Sequence, residues 1–290
     1  MEAAHHEPAI TVVIPTFDRA ASVGAAIASV LGQVGPPVEV IVVDDGSIDG
    51  TLDALGALAD PRVRVIPAPH EGVCAARNRG AAAARAPWLT FLDSDDTAAA
   101  GWLEAFAGGL ADGAQLVTCA ATLRYPDGTS HTPRPVHLGP AFGSVTAHFL
   151  AGSFAVTTEL FRAVGGYRLG LVYGENTELG MRLGTELAAR GAHSASDQRP
   201  LLEVAAIRRT YDAQRYLSAG LALMAEPDHP LRRDRHLYAS YLAIAGVAAS
   251  RLGRTQQAFG LLARAWRTEP GNWRHPFRLV RALSPVRRLR

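Results

Sequence analysis

Three acidic clusters carry the first hint of chemistry. Pro15-Thr16-Phe17-Asp18 follows one short β-branched run, Asp44-Asp45-Gly46-Ser47 follows a second, and Asp93-Ser94-Asp95-Asp96 follows a third further along. One aspartate at a strand end is commonplace, because it caps the next helix. Three clusters on one sheet edge concentrate negative charge, and neighbouring carboxylates repel unless something positive offsets them. A hard divalent cation with oxygen ligands does so, and Mg or Mn bound by carboxylates usually also holds substrate phosphates. The spacing points to a metal–diphosphate site.

Such a site needs a scaffold that brings the clusters together. The first half of the chain alternates strand and helix signals, the mark of a parallel sheet with crossover helices. The spacing predicts strands over Ala9 to Ile14, Val38 to Val43, Val63 to Ile66, Trp88 to Leu92 and Gln115 to Cys119. Val23, Ile27, Val30 and Leu31 recur at helical spacing, as do Leu52, Leu55 and Leu58, and Cys74 to Ala86 is an Ala-rich helix stopped by Pro87. Pro126, Asp127 and Gly128 predict a hairpin turn. A later helix over Thr177 to Arg190 has Leu179, Leu183, Leu187 and Ala188 as its apolar face. In open sheets of this kind ligands bind beyond the carboxyl ends of the strands, where all three clusters stand.

The runs Val12-Val13-Ile14-Pro15-Thr16-Phe17-Asp18-Arg19, Val42-Val43-Asp44-Asp45-Gly46-Ser47, Ala76-Arg77-Asn78 and Phe91-Leu92-Asp93-Ser94-Asp95-Asp96, in that order, resemble the family 2 glycosyltransferases of the GT-A fold. The likeness covers about residues 9 to 105. It extends more loosely to about 190 through Val164-Gly165-Gly166-Tyr167 and Glu175 to Leu183. It implies an α/β nucleotide-diphospho-sugar transferase fold with a Rossmann-like mixed sheet. It further implies an inverting transfer from a nucleotide-sugar donor, with a UDP-sugar favoured. Pro15, Thr16, Phe17 and Asp18 would then border the nucleotide, with Phe17 offering a stacking face. Asp44 or Asp45 would accept a hydrogen bond from the base, and Arg77 would approach the ribose or diphosphate. Asp93, Ser94 and Asp95 form the D-x-D motif, with Asp93, Asp95 and Asp96 the candidate ligands of Mn or Mg. The family's acceptor base usually comes from a Glu-Asp pair heading a late helix. Here Glu175 and Asn176 stand there, and an amide is no base at neutral pH. Glu175, Glu178 one turn on, or neither fills that role. Thr210 stands where a late metal-supporting histidine is common, after Arg208 and Arg209. His193 reads as partly buried, and His5, His6 and His70 read as surface residues. Gly152, Ser153 and Phe154 would border the donor sugar.

Composition narrows the alternatives. The 290 residues include 29 basic ones, all Arg, and the net charge is +2. Without Lys there is no Walker-A loop and no Schiff-base lysine. A sugar nucleotidyltransferase is disfavoured for the same reason, and a nicotinamide-binding fold because no G-x-G-x-x-G follows the first strand. Cys74 and Cys119 cannot build a disulfide scaffold, and their apolar surroundings suit a reducing cytosol. No run of about 18 uncharged apolar residues exists. No signal-type leader is visible, so a cytoplasmic protein is expected, and the Arg-rich, Lys-free composition with much Ala and Gly suggests a GC-rich bacterial genome.

Composition shifts near Arg208, giving a catalytic domain over 1–209 and an all-helical region over 210–290. Within 239–272, Gly246, Ala249, Gly253, Ala258, Leu262, Ala265 and Pro270 fall at pattern positions of a tetratricopeptide unit of about 34 residues. The alternative is an ordinary helix pair with a glycine turn. A lone unit must pack on the catalytic domain or on a second copy, and a homodimer is favoured. Residues 271–290 hold six Arg and no acid, a solvated end or a contact for a membrane surface or other polyanion. Nucleic acid is not an expected partner. Acceptors in keeping with these features are a glycan, a natural product or a peptide. Asn176 motivates the competing reading, a non-catalytic glycosyltransferase-like binding subunit.

Overall fold

The computed structural model describes residues 7–139, 142–171, 174–206 and 212–283. Readings that concern His5, His6, Arg208, Arg209, Thr210 or residues 284–290 lie outside this range. The backbone divides into two compact units, Met1–Gly170 with Glu175–Arg208, and Leu171–Gly174 with Arg209–Arg290.

The first unit is built on β1 (Ile10–Thr16), β2 (Val38–Asp44), β3 (Val63–Pro67) and β4 (Trp88–Phe91), parallel and ordered β3-β2-β1-β4. β1, β2 and β4 are buried throughout. Near-continuous Val, Ile and Leu runs do this when helices cover both faces of a parallel sheet. The crossovers are α1 (Val23–Leu31), α2 (Thr51–Gly56) and α3 (Val73–Ala82). α1 buries Val23, Ala26, Ile27 and Val30, one face of a 3.6-residue period. α3 packs with small residues instead. A Cβ on Gly80 would stand 2.4 Å from Val13 Cγ1 and 3.2 Å from Val43 Cγ2, so the helix lies against β1 and β2 at a spacing that glycine permits. Glu39 on β2 ties this layer down, accepting from Thr11 Oγ1 at 2.6 Å and from Arg85 N and Nε at 2.7 and 2.9 Å. Burial would raise the Glu39 carboxyl, but these donors outweigh it and hold the group below its ordinary range.

Beyond β4 the sheet becomes mixed. After β5 (Thr97–Ala98) and α4 (Trp102–Ala111), β6 (Leu116–Arg124) turns at Gly128 (φ +81°) into β7 (Ser130–His131), the predicted hairpin. β8 (Val136–His137) and β9 (Thr146–Ala147) form a separate ribbon. β10 (Phe154–Thr157) lies antiparallel between β4 and β6, and leads into α5 (Thr158–Ala163). After α6 (Glu175–Arg190), β11 (Ser194–Ala205) runs parallel to β6 and meets β5 antiparallel. The sequence pattern predicted neither β10 nor β11. β10 is only four residues and passes straight into a helix. In β11 the run Asp197-Gln198-Arg199-Pro200 breaks the alternation, and the register shifts on both sides of Pro200, where a proline is tolerated at a bulge. On α6, Leu179, Leu183 and Leu187 are buried as expected, whereas Ala188 is exposed.

Among the described residues the second unit contains no strand. It comprises α7 (Ala213–Ala225), a 3₁₀ turn at Pro230–Arg233, α8 (Arg235–Arg251), α9 (Thr255–Thr268) and α10 (Arg274–Leu283). α8 and α9 form a pair joined at Gly253 (φ +74°), and a Cβ on Gly246 would meet Leu262 Cγ at 2.7 Å. Both readings of 239–272 share this helix pair. Leu242 and Leu262 are buried within it, while Leu252, Phe259 and Trp266 are exposed.

Candidate active site

The carboxyl ends of β1, β2 and β4 and the head of α6 carry the candidate residues. Their hub is Arg77 on α3, whose side chain is almost wholly buried. Its Nη2 donates to Asp93 Oδ1 at 2.6 Å, its Nη1 reaches Glu175 Oε1 at 3.4 Å, and its guanidinium carbon lies 5.0 Å from the centre of the Tyr167 ring. Burial alone would disfavour the charge, but the Asp93 and Glu175 carboxylates outweigh it and keep the guanidinium charged. A fork-shaped cation serves two carboxylates at once, which a point charge cannot do with the same geometry.

The next residue, Asn78, fixes the far wall. Its Nδ2 donates to Tyr167 O at 2.7 Å and its Oδ1 accepts from Tyr167 N at 2.8 Å. A Cβ on Gly166 (φ +68°) would stand 2.6 Å from Asn78 Oδ1, so the Gly165-Gly166 turn is what lets the amide close on the backbone. Tyr167, whose phenol burial pushes up and keeps protonated, donates its hydroxyl to Asn176 Oδ1 at 2.8 Å. Asn176 Nδ2 then donates to Glu175 Oε1 at 3.2 Å. The reverse amide orientation would set two oxygens against each other. Glu175 therefore stands at the end of a chain running from Asn78 through Tyr167 and Asn176, with Arg77 on its other side.

Glu178 is differently placed. It is fully buried, its Oε1 accepts from Arg182 Nε at 2.6 Å, its Oε2 from Arg182 Nη2 at 2.5 Å, and Arg168 Nε is 3.7 Å away. Its two oxygens are committed to holding α6, and none of these contacts involves Arg77 or Asp93.

At the β2 end, Asp44 accepts from Ser47 N and Oγ, closing the turn after the strand. Asp45 is buried and accepts Glu71 N and Gly72 N, one on each oxygen, at 2.9 Å. It thereby pins the loop that starts α3. The loop carries His70, whose Nδ1 is 3.0 Å from Asp45 Oδ2 and whose ring centre lies 4.1 Å from that of half-exposed Phe17. Asp18 sits in the left-handed region (φ +49°), and its Oδ1 accepts Ile48 N at 2.9 Å, joining the β1 and β2 ends. Pro15 and Thr16 pair with Val43 and Asp44 inside the sheet. Thr16 Oγ1 and Arg77 Nε are buried without a protein partner, the kind of atom for which a polar ligand accounts.

At the β4 end, Asp95 is half-exposed and 3.8 Å from Arg19 Nη2. Ser94 is buried. Asp96 is buried too and accepts Ala205 N at 3.0 Å; burial first, then Asp93, pushes its carboxyl up to about 8. Among the described residues no three His, Cys, Asp or Glu side chains converge as a ready-made metal cage. The donor set still fits Mg or Mn, which bind through one or two carboxylates with phosphate oxygens and water filling the octahedron. Asp95 and Asp93 are the candidates. Asp96 is turned to the Ala205 backbone on β11.

Asn78 and Tyr167 lie within the sequence motifs but have no role assignable from sequence, and His70 is exposed as expected yet stands against Phe17 and Asp45. The signal for all three was their place inside or beside the motifs. Ser153, read as bordering a donor sugar, is fully buried and closes a turn through His148 O and Leu150 N, while Gly152 O accepts the Trp102 indole at 2.6 Å. These two residues are core. His193 is exposed rather than partly buried.

The model of the glycosyl transferase family 2 matches residues 11–170, over half of the chain, and takes in the β1, β2 and β4 ends, Arg77 and Tyr167. The chain belongs to that family. The succinoglycan biosynthesis protein ExoO of Rhizobium meliloti is 46% identical over 91 residues, 31% of this chain and 26% of that protein. The chain spans 26–38% of the length of the first three curated relatives it matches. Several solved structures share its fold. Staphylococcus aureus TarS in complex with UDP-GlcNAc matches with a TM-score of 0.63 at 16% identity, over 89% of this chain and 81% of that one. The mannosyltransferase PcManGT from Pyrobaculum calidifontis, in complex with GDP-Man and Mn2+, matches with a TM-score of 0.60 at 19% identity, over 96% and 80%. The GT-A fold expected from the motifs is thereby shown, a mixed α/β sheet followed by helices. Among the described residues no helix is long and apolar enough to cross a membrane.

Proposed function

We propose that the chain is an inverting glycosyltransferase moving a sugar from a nucleotide-diphosphate donor, a UDP-sugar, to a nucleophile on an acceptor glycan, natural product or peptide. The observation that carries this reading is the Arg77 fork, which joins the first aspartate of the D-x-D motif to the glutamate heading α6. One buried cation thus aligns a donor-binding strand end with a candidate base.

In this reading the nucleobase lies against Phe17 and His70, and Asp44 or Asp45 accepts its ring N–H through lone pairs left by their turn contacts. Pro15, Thr16 and Asp18 shape that wall. Asp93, Ser94 and Asp95 face the diphosphate, and Asp95 with Asp93 would hold Mn or Mg. When bound, that ion would supply charge compensation on the leaving diphosphate. Glu175 takes the proton from the acceptor nucleophile as it bonds to the anomeric carbon, and the bond from that carbon to the diphosphate oxygen breaks on the opposite face. Arg77 and Asn176 fix the Glu175 rotamer. Glu178, spent on Arg182, holds the helix.

The catalytic domain is read as 1–209 and the helical region as 210–290, with a tetratricopeptide-like hairpin over 239–272. A homodimer through exposed Leu252, Phe259 and Trp266, and a cytoplasmic location, complete the reading. A second reading has one observation behind it. Glu175 Oε1 already takes donors from Arg77 and Asn176, and Asn176 stands where the family pattern has an acid, as in a subunit that binds donor without transferring it. Thermal shift with uridine, thymidine and guanosine diphosphate sugars, with and without Mn, tests donor binding, and release of the nucleoside diphosphate separates the two readings. Metal-dependent stabilisation by a UDP-sugar together with diphosphate release supports transfer. Binding without any release supports the second reading, and no binding of any donor removes both.

A further inference from the structure

We infer that α10 is an interfacial anchor that docks this protein on an anionic lipid surface. Its outward side carries Phe277 and Val280, which are 61% and 63% exposed, and Trp273, in the turn just before it, is 71% exposed. At about 100° per residue Phe277 and Val280 lie about 60° apart on the helix. Arg274 and Arg278 fall on the adjoining arc, and the Arg274 guanidinium lies 5.8 Å from the Trp273 ring. The inner side is accounted for within the unit, where His275 is buried and its Nε2 meets Glu269 Oε2 at 3.0 Å. The exposed side is thus an apolar stripe edged by arginine on a helix whose orientation is already fixed.

Two features select the occupant. The described side chains of α10 include Arg274 and Arg278 and no acid, so this face is complementary to negative charge and offers a protein partner no acidic group for a reciprocal ion pair. The apolar residues are an indole, a phenyl ring and a valine beside guanidinium groups, the composition that settles at the headgroup level with rings in the acyl boundary and cations among the phosphates. A soluble polyanion would use the arginines but leave Phe277 and Val280 in water. A second copy of this chain would bring its own arginines against them.

The test is flotation of the full chain with vesicles of phosphatidylcholine alone or with about one third phosphatidylglycerol. Binding to the anionic vesicles should exceed binding to the neutral ones by on the order of tenfold, from two or more arginines near the charged surface. It should weaken at high salt, because screening shortens the reach of those charges. Trp273→Ser with Phe277→Ser, and separately Arg274→Gln with Arg278→Gln, should each lose most of it. All four side chains lie outside the candidate active site, so donor binding should stay unchanged in both variants, and circular dichroism should show the same helix content. Equal flotation with both vesicle types, or unchanged flotation of the Ser variant, overturns the proposal. So does light scattering that shows the Ser variant converting a dimer to a monomer while the wild type never floats.

Discussion

Glu175 and Glu178 lie one helical turn apart and have the same chemistry, yet their surroundings assign them opposite work. Glu175→Gln should lower the chemical step by at least about a hundredfold, the scale of a lost general base, with donor affinity unchanged. Glu178→Gln should leave that step intact in the folded fraction and lower stability by about 3–5 kcal/mol, because it strips a partner from the Arg182 guanidinium in a buried pair. Single-turnover rates and urea unfolding of both variants separate the two effects. Asn176→Asp is a sharper probe. It replaces a donor to Glu175 with a like charge, so one carboxyl of the pair must rise. The acid limb of the pH–rate profile should move to higher pH, with no gain in rate at neutrality. The acidic clusters were legible in the sequence because each follows a short apolar run of strand length, Val- and Ile-rich before Pro15 and Asp44 and aromatic before Asp93. The choice between Glu175 and Glu178 was not, because it depends on Arg182 and Arg77, which only packing brings to one carboxylate or the other.

At the scale of elements, the site depends on how closely α3 approaches the sheet. Gly80 stands three residues after Arg77, and its missing side chain is what sets that approach. Gly80→Ala should cost about 1–3 kcal/mol in urea unfolding, the usual range for overpacking. It should also weaken donor binding more than a remote substitution of equal cost, because Arg77 moves with the helix. Both cysteines are buried, Cys74 on α3 and Cys119 on β6. Burial pushes the Cys74 thiol up to about 11 and the Cys119 thiol up to about 12. At pH 8 neither should react with a disulfide reagent in the native protein, and both should react in urea. The parallel half of the sheet was readable from uninterrupted Val and Ile runs. β10 and β11 were not, since one is four residues long and the other is broken by Pro200 and three polar residues, its pairing fixed by β6 rather than by its own pattern.

At the scale of the molecule, the helical unit has an acid-sensitive lock of its own. Glu269 accepts from His236 Nδ1 at 2.6 Å, His275 Nε2 at 3.0 Å and Asn272 Nδ2 at 3.0 Å, tying α8 to the start of α10. Burial would raise this carboxyl, but those donors bring it down to about 2. A depressed carboxyl stabilises the fold above its ordinary range, and that contribution is lost as pH falls from about 4.5 through about 2. Far-UV circular dichroism of the full chain should show part of the helix signal melting in that window, and Glu269→Gln should remove the step. The helical character of this region was plain from its Ala and Leu periodicity, whereas Glu269, His236 and His275 gave no sign, lying up to 39 positions apart with no motif to join them. The claim on which the rest depends is that the β4 end is a metal–diphosphate site serving sugar transfer. The direct measurement is Mn-dependent release of nucleoside diphosphate from a UDP-sugar by the wild type and by Asp95→Ala, with folding checked by thermal melting. The account predicts turnover in the wild type, less than about a tenth of it in the variant at saturating Mn, and an unchanged or slightly higher melting temperature once a repelling carboxylate is gone. Turnover by Asp95→Ala close to that of the wild type would contradict it.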